Sequence, residues 1–205
     1  MKLSLLSVTF FLLALAASNP TVTISYPQAT ILALSGDVEQ FPGVPFAQPR
    51  TGQLRLKPPQ PLTQPYGVYN AISNGPACPQ FVFSTTINDA IPTSALGVLA
   101  DTPLFQKALN ESEDCLHLNA YRPAGTTTSS NLRVLFWIFG GGFELGWNSM
   151  YDGSPWVAQS VKEGQPIIVV RVNYRVGGFG FLPGKEILSD GSANVGLLYQ
   201  RLGLQ

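Results

Sequence analysis

Ionisable side chains are scarce in this chain. Of 205 residues, twelve are Lys or Arg, twelve are Asp or Glu and one is His, so the formal net charge is zero. A charged share of 12% with neither sign in excess supplies no basic footprint for a phosphate backbone and no acidic tail. Nucleic acid and anionic membrane surfaces are therefore not expected partners. Internal repeats are absent, and the only low-complexity stretch is the polar loop at residues 126–130. After the N-terminus no apolar run approaches the roughly 20 residues that a membrane-spanning helix needs. What the chain does have is 45% hydrophobic residues, 20 Gly and 17 Pro. That balance excludes disorder and coiled coil and predicts a well-buried, loop-rich globular protein.

The first residues read as an export signal. Met1 and Lys2 make a positive start, residues 3–15 are almost wholly apolar, and Ala14, Ala16 and Ala17 are small enough for signal peptidase. Ser18, Asn19 and Pro20 end the run too early for an anchor. Residues 1–17 are expected to be removed, residues 18–205 to form the domain, and the product to be secreted. In an oxidising compartment Cys78 and Cys115 have only each other to pair with. Such a bridge would contribute roughly 4 kcal/mol in the chain-entropy account; two free buried thiols are the alternative. Asn110, in the sequon Asn110-Glu111-Ser112, is a possible N-glycosylation site within the same loop.

The organisation points to an α/β protein. Residues 21–39 are β-branched and alternating, with Ser35-Gly36-Asp37 as a turn, which predicts a small antiparallel hairpin or meander. Residues 41–65 carry Pro42, Pro45, Pro49, Pro58, Pro59, Pro61 and Pro65 and are expected as an extended surface wrap. Between the cysteines, apolar side chains from Ile87 to Leu109 fall on short helical pieces broken by Pro92, Gly97 and Pro103. A half-buried strand follows Cys115 and stops at Pro123. Residues 133–139 (RVLFWIF) and 167–173 (IIVVRVN) are near-continuous apolar runs, as strands buried on both faces should be. A helix at residues 154–162 lies between them, and strand, helix, strand implies a parallel sheet. A last helix starts near Ser192 and is still running at Gln205, so the chain reads as the front part of a larger fold.

The run WIFGGGFELG at residues 137–146 directly follows a buried strand, the place where α/β sheets carry their working loops. Consecutive glycines let a backbone approach a ligand and aim amide hydrogens at one point. A dinucleotide fingerprint fails because Leu145 stands where its third glycine belongs. A P-loop fails because Gly184-Lys185-Glu186 lacks the hydroxyl. An oxyanion hole, whose backbone donors meet the negative oxygen that develops on an attacked ester carbonyl, fits; a tight turn needing glycine for geometry alone is the plainer alternative.

With that loop in view, the chain resembles the N-terminal part of the type-B carboxylesterase and lipase family, the cholinesterase-like branch of the α/β-hydrolases. The residues carrying the resemblance are FPGVPFAQP (41–49) with LRLKPPQP (54–61), EDCLHLNAYRP (113–123), the glycine loop, and VNYRVGGFGFL (172–182) with NVGLLYQRLGLQ (194–205). Phe139 before the glycines and Glu144 after Phe143 make it most similar to fungal secreted lipases and esterases. The resemblance implies that Gly141 and Gly142 supply oxyanion-hole amides and that Cys78 and Cys115 form the family's first disulfide. It also implies an ion pair between Arg55 and Glu113, and a loop tied off by the disulfide that acts as a flap over the site; a static surface loop is the alternative. Tyr199 departs from the pattern, standing where an Asp is expected, which puts the local fold near the chain's end in doubt.

Family members attack with the Ser of a Gly-x-Ser-x-Gly elbow, assisted by an acid and a His. No such elbow occurs in these residues, and the one histidine, His117, reads as a half-exposed strand residue rather than a general base. The implied function is secreted carboxylic ester hydrolysis, with an ester of a small molecule or lipid as substrate and the triad outside these residues. A non-catalytic cholinesterase-like binding protein and an inactive remnant are the alternatives. No metal or organic cofactor is implied, and the oligomeric state is open.

Overall fold

The computed structural model describes residues 19–80 and 110–205. The apolar start at residues 1–17 and the amphipathic segment at residues 87–109, the expected flap, lie outside the described residues.

Two β-sheets organise the chain. Strands β1 (Thr21–Ser25) and β2 (Gln28–Leu32) pair antiparallel, with Thr21 opposite Leu32 and Ser25 opposite Gln28. One turn falls at Tyr26-Pro27, joined by a cis peptide bond. Proline lacks an amide donor and suits a turn that interrupts the alternation. The expected turn at Ser35-Gly36-Asp37 is a second reversal, with Leu34 and Gln40 bridged antiparallel by backbone hydrogen bonds of 2.9 and 3.1 Å across it. Strand β4 (Gly67–Asn70) joins β2 in parallel and completes a three-stranded sheet, whose inner face buries Ala29, Ile31, Ala33, Phe41 and Ala71.

The second sheet has the order β3-β5-β7-β6, from β3 (Val38–Pro45), β5 (His117–Pro123), β7 (Ile167–Val172) and β6 (Arg133–Ile138). It is mixed and not simply parallel: β5 runs antiparallel to both β3 and β7, and only β6 and β7 are parallel. The wrap expected from Phe41 onward begins later, because β3 continues to Pro45. An edge strand tolerates proline, and a register shift between Phe41 and Val44 takes up Pro42 and Gly43. At that bulge Gly43 has φ +70° and passes so close to the Ser73 carbonyl that a Cβ would lie 2.4 Å from it. The Asn119 side-chain oxygen accepts the Gly43 amide at 2.8 Å.

Helix α1 (Ser154–Lys162) covers one face, as the sequence predicts. Pro155 suits the first turn, where amides have no partner, and Gly164, at φ +70°, follows its end. Val157 is fully buried against Tyr121 and Val169, each such aliphatic burial contributing about 1.5–3 kcal/mol. Strand β6 corrects a sequence expectation. Val134, Leu135 and Ile138 are 60%, 40% and 42% exposed, so this apolar run is not buried on both faces. It is an edge strand among the described residues, and an apolar run by itself does not reveal which face is covered.

Beyond β7 come α2 (Gly177–Phe181), α3 (Lys185–Ser189) and α4 (Val195–Leu204). Ser192 does not cap α4; its hydroxyl bonds the Asp190 carboxylate, and Asn194, in the left-handed conformation, precedes the helix. Tyr199 does not disturb the fold. It is fully buried in the cluster with Phe139, Tyr174, Val176 and Val195, and its hydroxyl donates to the Lys57 carbonyl at 2.9 Å. Among the described residues no helix is long and apolar enough to cross a membrane.

Candidate active site

The glycine loop emerges at the carboxyl end of β6, next to its parallel neighbour β7. Its entry is fixed by Phe139, buried and stacked on Tyr174 with centroids 4.3 Å apart, while the Tyr174 hydroxyl donates to the Phe139 carbonyl at 2.8 Å. Its exit is fixed by Gly146, which exchanges two hydrogen bonds with the buried Gln80 side chain: the amide donates to Oε1 at 2.8 Å and the carbonyl accepts from Nε2 at 3.2 Å. In between, the Gly141 carbonyl accepts from the Glu144 and Leu145 amides, closing a tight turn. The Phe143 carbonyl accepts from the Gly177 amide at the start of α2, and the Phe143 ring packs on Phe181 at 5.0 Å.

That turn requires glycine at Gly141, where φ is +150° and a Cβ would lie 1.9 Å from the Leu145 carbonyl oxygen. Gly142 has φ +65° but open space around it. Among the described residues, the amides of Gly141 and Gly142 donate to no protein acceptor. Both glycines are exposed, flanked by Phe143 and Leu145 at 52% and 39% exposure. The loop thus presents unengaged backbone donors beside apolar side chains, an arrangement suited to a developing oxyanion attached to an apolar group.

Beneath it lies a polar buttress. Asn173, 1% exposed, accepts the Asn148 amide on its side-chain oxygen at 2.8 Å and donates from Nδ2 to the carbonyls of Pro76 and Cys115 at 2.9 and 3.1 Å. The Asn173 amide and the Asn148 side chain both donate to the His117 carbonyl. Cys78 and Cys115 are joined in a disulfide, with Cα atoms 5.0 Å apart. The His117 ring packs on Gly75, and burial pushes its pKa below the ordinary value, against a weaker opposing effect of Asp114. Its Nδ1 is buried without a partner among the described residues. Arg55 and Glu113 form an ion pair at 2.7 Å on the surface. Asn110 is exposed and has φ +51°.

Behind this buttress Arg50 and Arg175 are fully buried. Arg50 donates to the carbonyls of Gln48, Pro58 and Gln60, and Arg175 donates to those of Arg50 and Glu113. They pin the proline-rich wrap to the strand and helix that carry the site. The structure therefore brings the disulfide, the Arg55–Glu113 pair and the loop's supports into one assembly, with Gly141 and Gly142 at its exposed end. Sequence reasoning does not find Gln80, Asn148, Asn173 or the two buried arginines. Asn173 and Arg175 lie inside the VNYRVGGFGFL motif, yet only the fold shows which polar groups they satisfy.

The carboxylesterase family model matches residues 28–205. Secreted lipase 1 of Botryotinia fuckeliana is 68% identical over 190 residues, covering 92% of this chain and 33% of the relative. Lipase 2 of Diutina rugosa is 44% identical over 206 residues, covering 100% of this chain and 37% of the relative. Acetylcholinesterase of Electrophorus electricus is 39% identical over 207 residues, covering 97% and 30%. Among solved structures, Aspergillus niger EstA superposes with a TM-score of 0.70 at 30% identity, covering 91% of this chain and 32% of the other. A thermophilic pNB esterase gives 0.68 at 36%, covering 91% and 34%. The chain spans about a third of the length of these relatives. The family model spans 178 of the 205 residues, and the chain belongs to the carboxylesterase family.

Proposed function

We propose that this chain carries the oxyanion loop of a secreted carboxylic ester hydrolase. The observation that carries this reading is the pair of exposed, unengaged amides at Gly141 and Gly142, at the carboxyl end of a parallel strand. When a nucleophile adds to an ester carbonyl, the π electrons move onto oxygen, and donors aimed at that oxygen lower the barrier. Each such donor is worth two to three orders of magnitude in turnover, roughly 3–4 kcal/mol. Gly141 and Gly142 supply two donors, and a third comes from the residue after the nucleophile. Phe143 and Leu145 beside them offer an apolar bed for the acyl or alcohol part of the substrate.

The Ser, acid and His of the reaction belong to residues outside these 205. Sequencing the transcript past the codon for Gln205 tests this directly. The expected result is an open frame with a Gly-x-Ser-x-Gly elbow, then an acid and a His, whose product hydrolyses 4-nitrophenyl esters. The purified 205-residue chain is expected to show no turnover, and sustained hydrolysis by it would overturn the placement of the triad. An in-frame elbow with its Ser replaced would instead select a non-catalytic binding protein. Secretion, with residues 1–17 removed as a signal peptide, is supported by the positive-then-apolar start and the cysteine pairing. The names of two fungal relatives, Secreted lipase 1 and Secreted triacylglycerol lipase LIP1, point the same way. N-terminal sequencing of the exported protein, expected to begin near residue 18, checks it.

A further inference from the structure

The neck of the glycine loop is closed by one side chain from a segment distant in sequence. Gly146 turns back onto the loop's entry, so closely that a Cβ on it would lie 2.6 Å from the Phe139 ring and 3.1 Å from the Gly140 carbonyl. Among the described residues, both backbone groups of Gly146 are taken by the buried Gln80 side chain. It pairs with them as a neighbouring strand would, accepting the amide at 2.8 Å and donating to the carbonyl at 3.2 Å. Gln80 is itself held. The Pro76 carbonyl accepts from Asn173 Nδ2 at 2.9 Å, the Ala77 carbonyl accepts from the Ser112 amide at 3.0 Å, and Cys78 is bonded to Cys115. Three successive residues are thus fastened just before it. Within the loop, by contrast, three glycines give the backbone wide conformational freedom, and the hydrogen bonds that close inside it run from the Glu144 and Leu145 amides to the Gly141 carbonyl.

We propose that Gln80 is a positioning residue for ester hydrolysis: it fixes the neck at Gly146 and so keeps the Gly141 and Gly142 amides where a developing oxyanion needs them. The inference rests on the reading of the loop as an oxyanion hole. Donors stabilise a transition state only when they are in place before charge develops, because reorienting them during the reaction cancels the gain. A loop with a loose neck would still hold an ester against Phe143 and Leu145, yet meet its carbonyl oxygen with wandering amides. Loss of Gln80 should therefore reach turnover and leave substrate binding nearly alone. Both polar atoms of the Gln80 side chain are used, one as acceptor and one as donor. Neither an apolar side chain of similar length nor a carboxylate supplies both.

Two measurements separate the tether from the chemistry. In the 205-residue chain, amide exchange across residues 140–146 reads the neck alone, and Gln80→Met is expected to speed it about tenfold or more while β7 exchanges as in the wild type. Equal exchange in variant and wild type would overturn the tether and the proposal with it. In a longer product that carries the nucleophile elbow, Gln80→Met is expected to lower kcat on 4-nitrophenyl butyrate about tenfold to a hundredfold, with KM within about twofold. It should weaken by a like factor a trifluoromethyl ketone, to whose carbonyl carbon the nucleophile adds so that the oxygen takes up negative charge. Gln80→Glu supplies the missing donor when its carboxyl is protonated. Its kcat relative to wild type is expected to rise as the pH falls from about 8 to about 6, because burial holds such a carboxyl above its usual range. Should Gln80→Met fail to fold, seen as lost protection in β7, Gln80→Glu decides. A raised KM with kcat unchanged, an unaltered ketone affinity, or a Gln80→Glu profile parallel to wild type would overturn the positioning role. Absence of hydrolysis by the wild-type longer product would overturn the oxyanion reading, and the catalytic role of Gln80 with it, while the exchange result would stand.

Discussion

The glycine loop and the buttress beneath it are neighbours built on opposite rules. In the loop, Gly141 and Gly142 leave amide donors unengaged at the surface, and their conformation depends on positive φ and on close backbone approach. In the buttress, Asn173 engages the Asn148 amide and the carbonyls of Pro76 and Cys115, at 1% exposure, and the disulfide sits directly against it. Burial makes an unpaired polar group expensive, so the buttress must satisfy its donors to exist. Exposure lets the loop leave its donors open, and that freedom is what a reacting oxygen needs. Substitutions in the two regions should accordingly fail in different ways.

The largest effect is expected from the disulfide. Replacing Cys78 and Cys115 with Ser should cost about 2–5 kcal/mol of stability, measured by urea unfolding of the chain, because the loop-closing constraint is lost and Cys115 lies in the core. If stability were unchanged, the buttress would not be the stabilising partner of the pair. Next comes the contrast within the loop. Gly141→Ala should destabilise by about 1–3 kcal/mol, since its Cβ meets the Leu145 carbonyl. Gly142→Ala, with open space around it, should cost only about 1–2 kcal/mol for its positive φ. On the proposed function, both should lower turnover on a nitrophenyl ester in a longer product that carries the nucleophile elbow, because alanine keeps the amide but strains its positive φ; a Gly142→Ala variant of full activity would show that the loop holds its amides in place without glycine there.

How much of this is legible in the sequence follows the same divide. The glycine loop announces itself, because three consecutive glycines after an apolar strand forgo side-chain packing and leave the backbone as the working surface. Helix α1 is readable from its proline and its spacing. The mixed pairing of the main sheet is not readable, since an apolar run states burial and not direction. Nor is the exposure of β6, which depends on what packs against each face. Asn148 and Asn173 look like ordinary polar residues, and their value comes from carbonyls supplied by segments distant in sequence. Tyr199 misdirects most sharply: as a replacement for an expected Asp it suggests a damaged helix, yet its ring fills core volume and its hydroxyl finds the Lys57 carbonyl.

Two smaller effects sharpen the comparison further. His117 is held in the buttress with its pKa lowered, chiefly by burial, so the unfolded chain binds more protons than the folded one below the ordinary histidine value of about 6.5. Stability should therefore be level above that pH and fall as the pH drops toward the lowered folded value. His117→Gln should flatten the profile in denaturant unfolding between about pH 5 and 8, and an unaltered slope would assign the loss to other groups. The smallest effect is expected at the Arg55–Glu113 pair. Its arginine side chain is 59% exposed, so Arg55→Met should change stability by only about 0–1 kcal/mol, with the difference shrinking in salt.

The hydrogen bonds of Asn173 tie chemistry to history. Its side chain touches the Cys115 carbonyl with one hand and the Asn148 amide with the other, and Asn148 lies two residues beyond the end of the glycine loop at Gly146. Closing the cysteine bridge fixes one end of that relay and so helps to set where the loop stands. A newly made chain in a reducing compartment lacks that fixed end. The shape of the loop thereby depends on the oxidation state of two cysteines far from it in sequence.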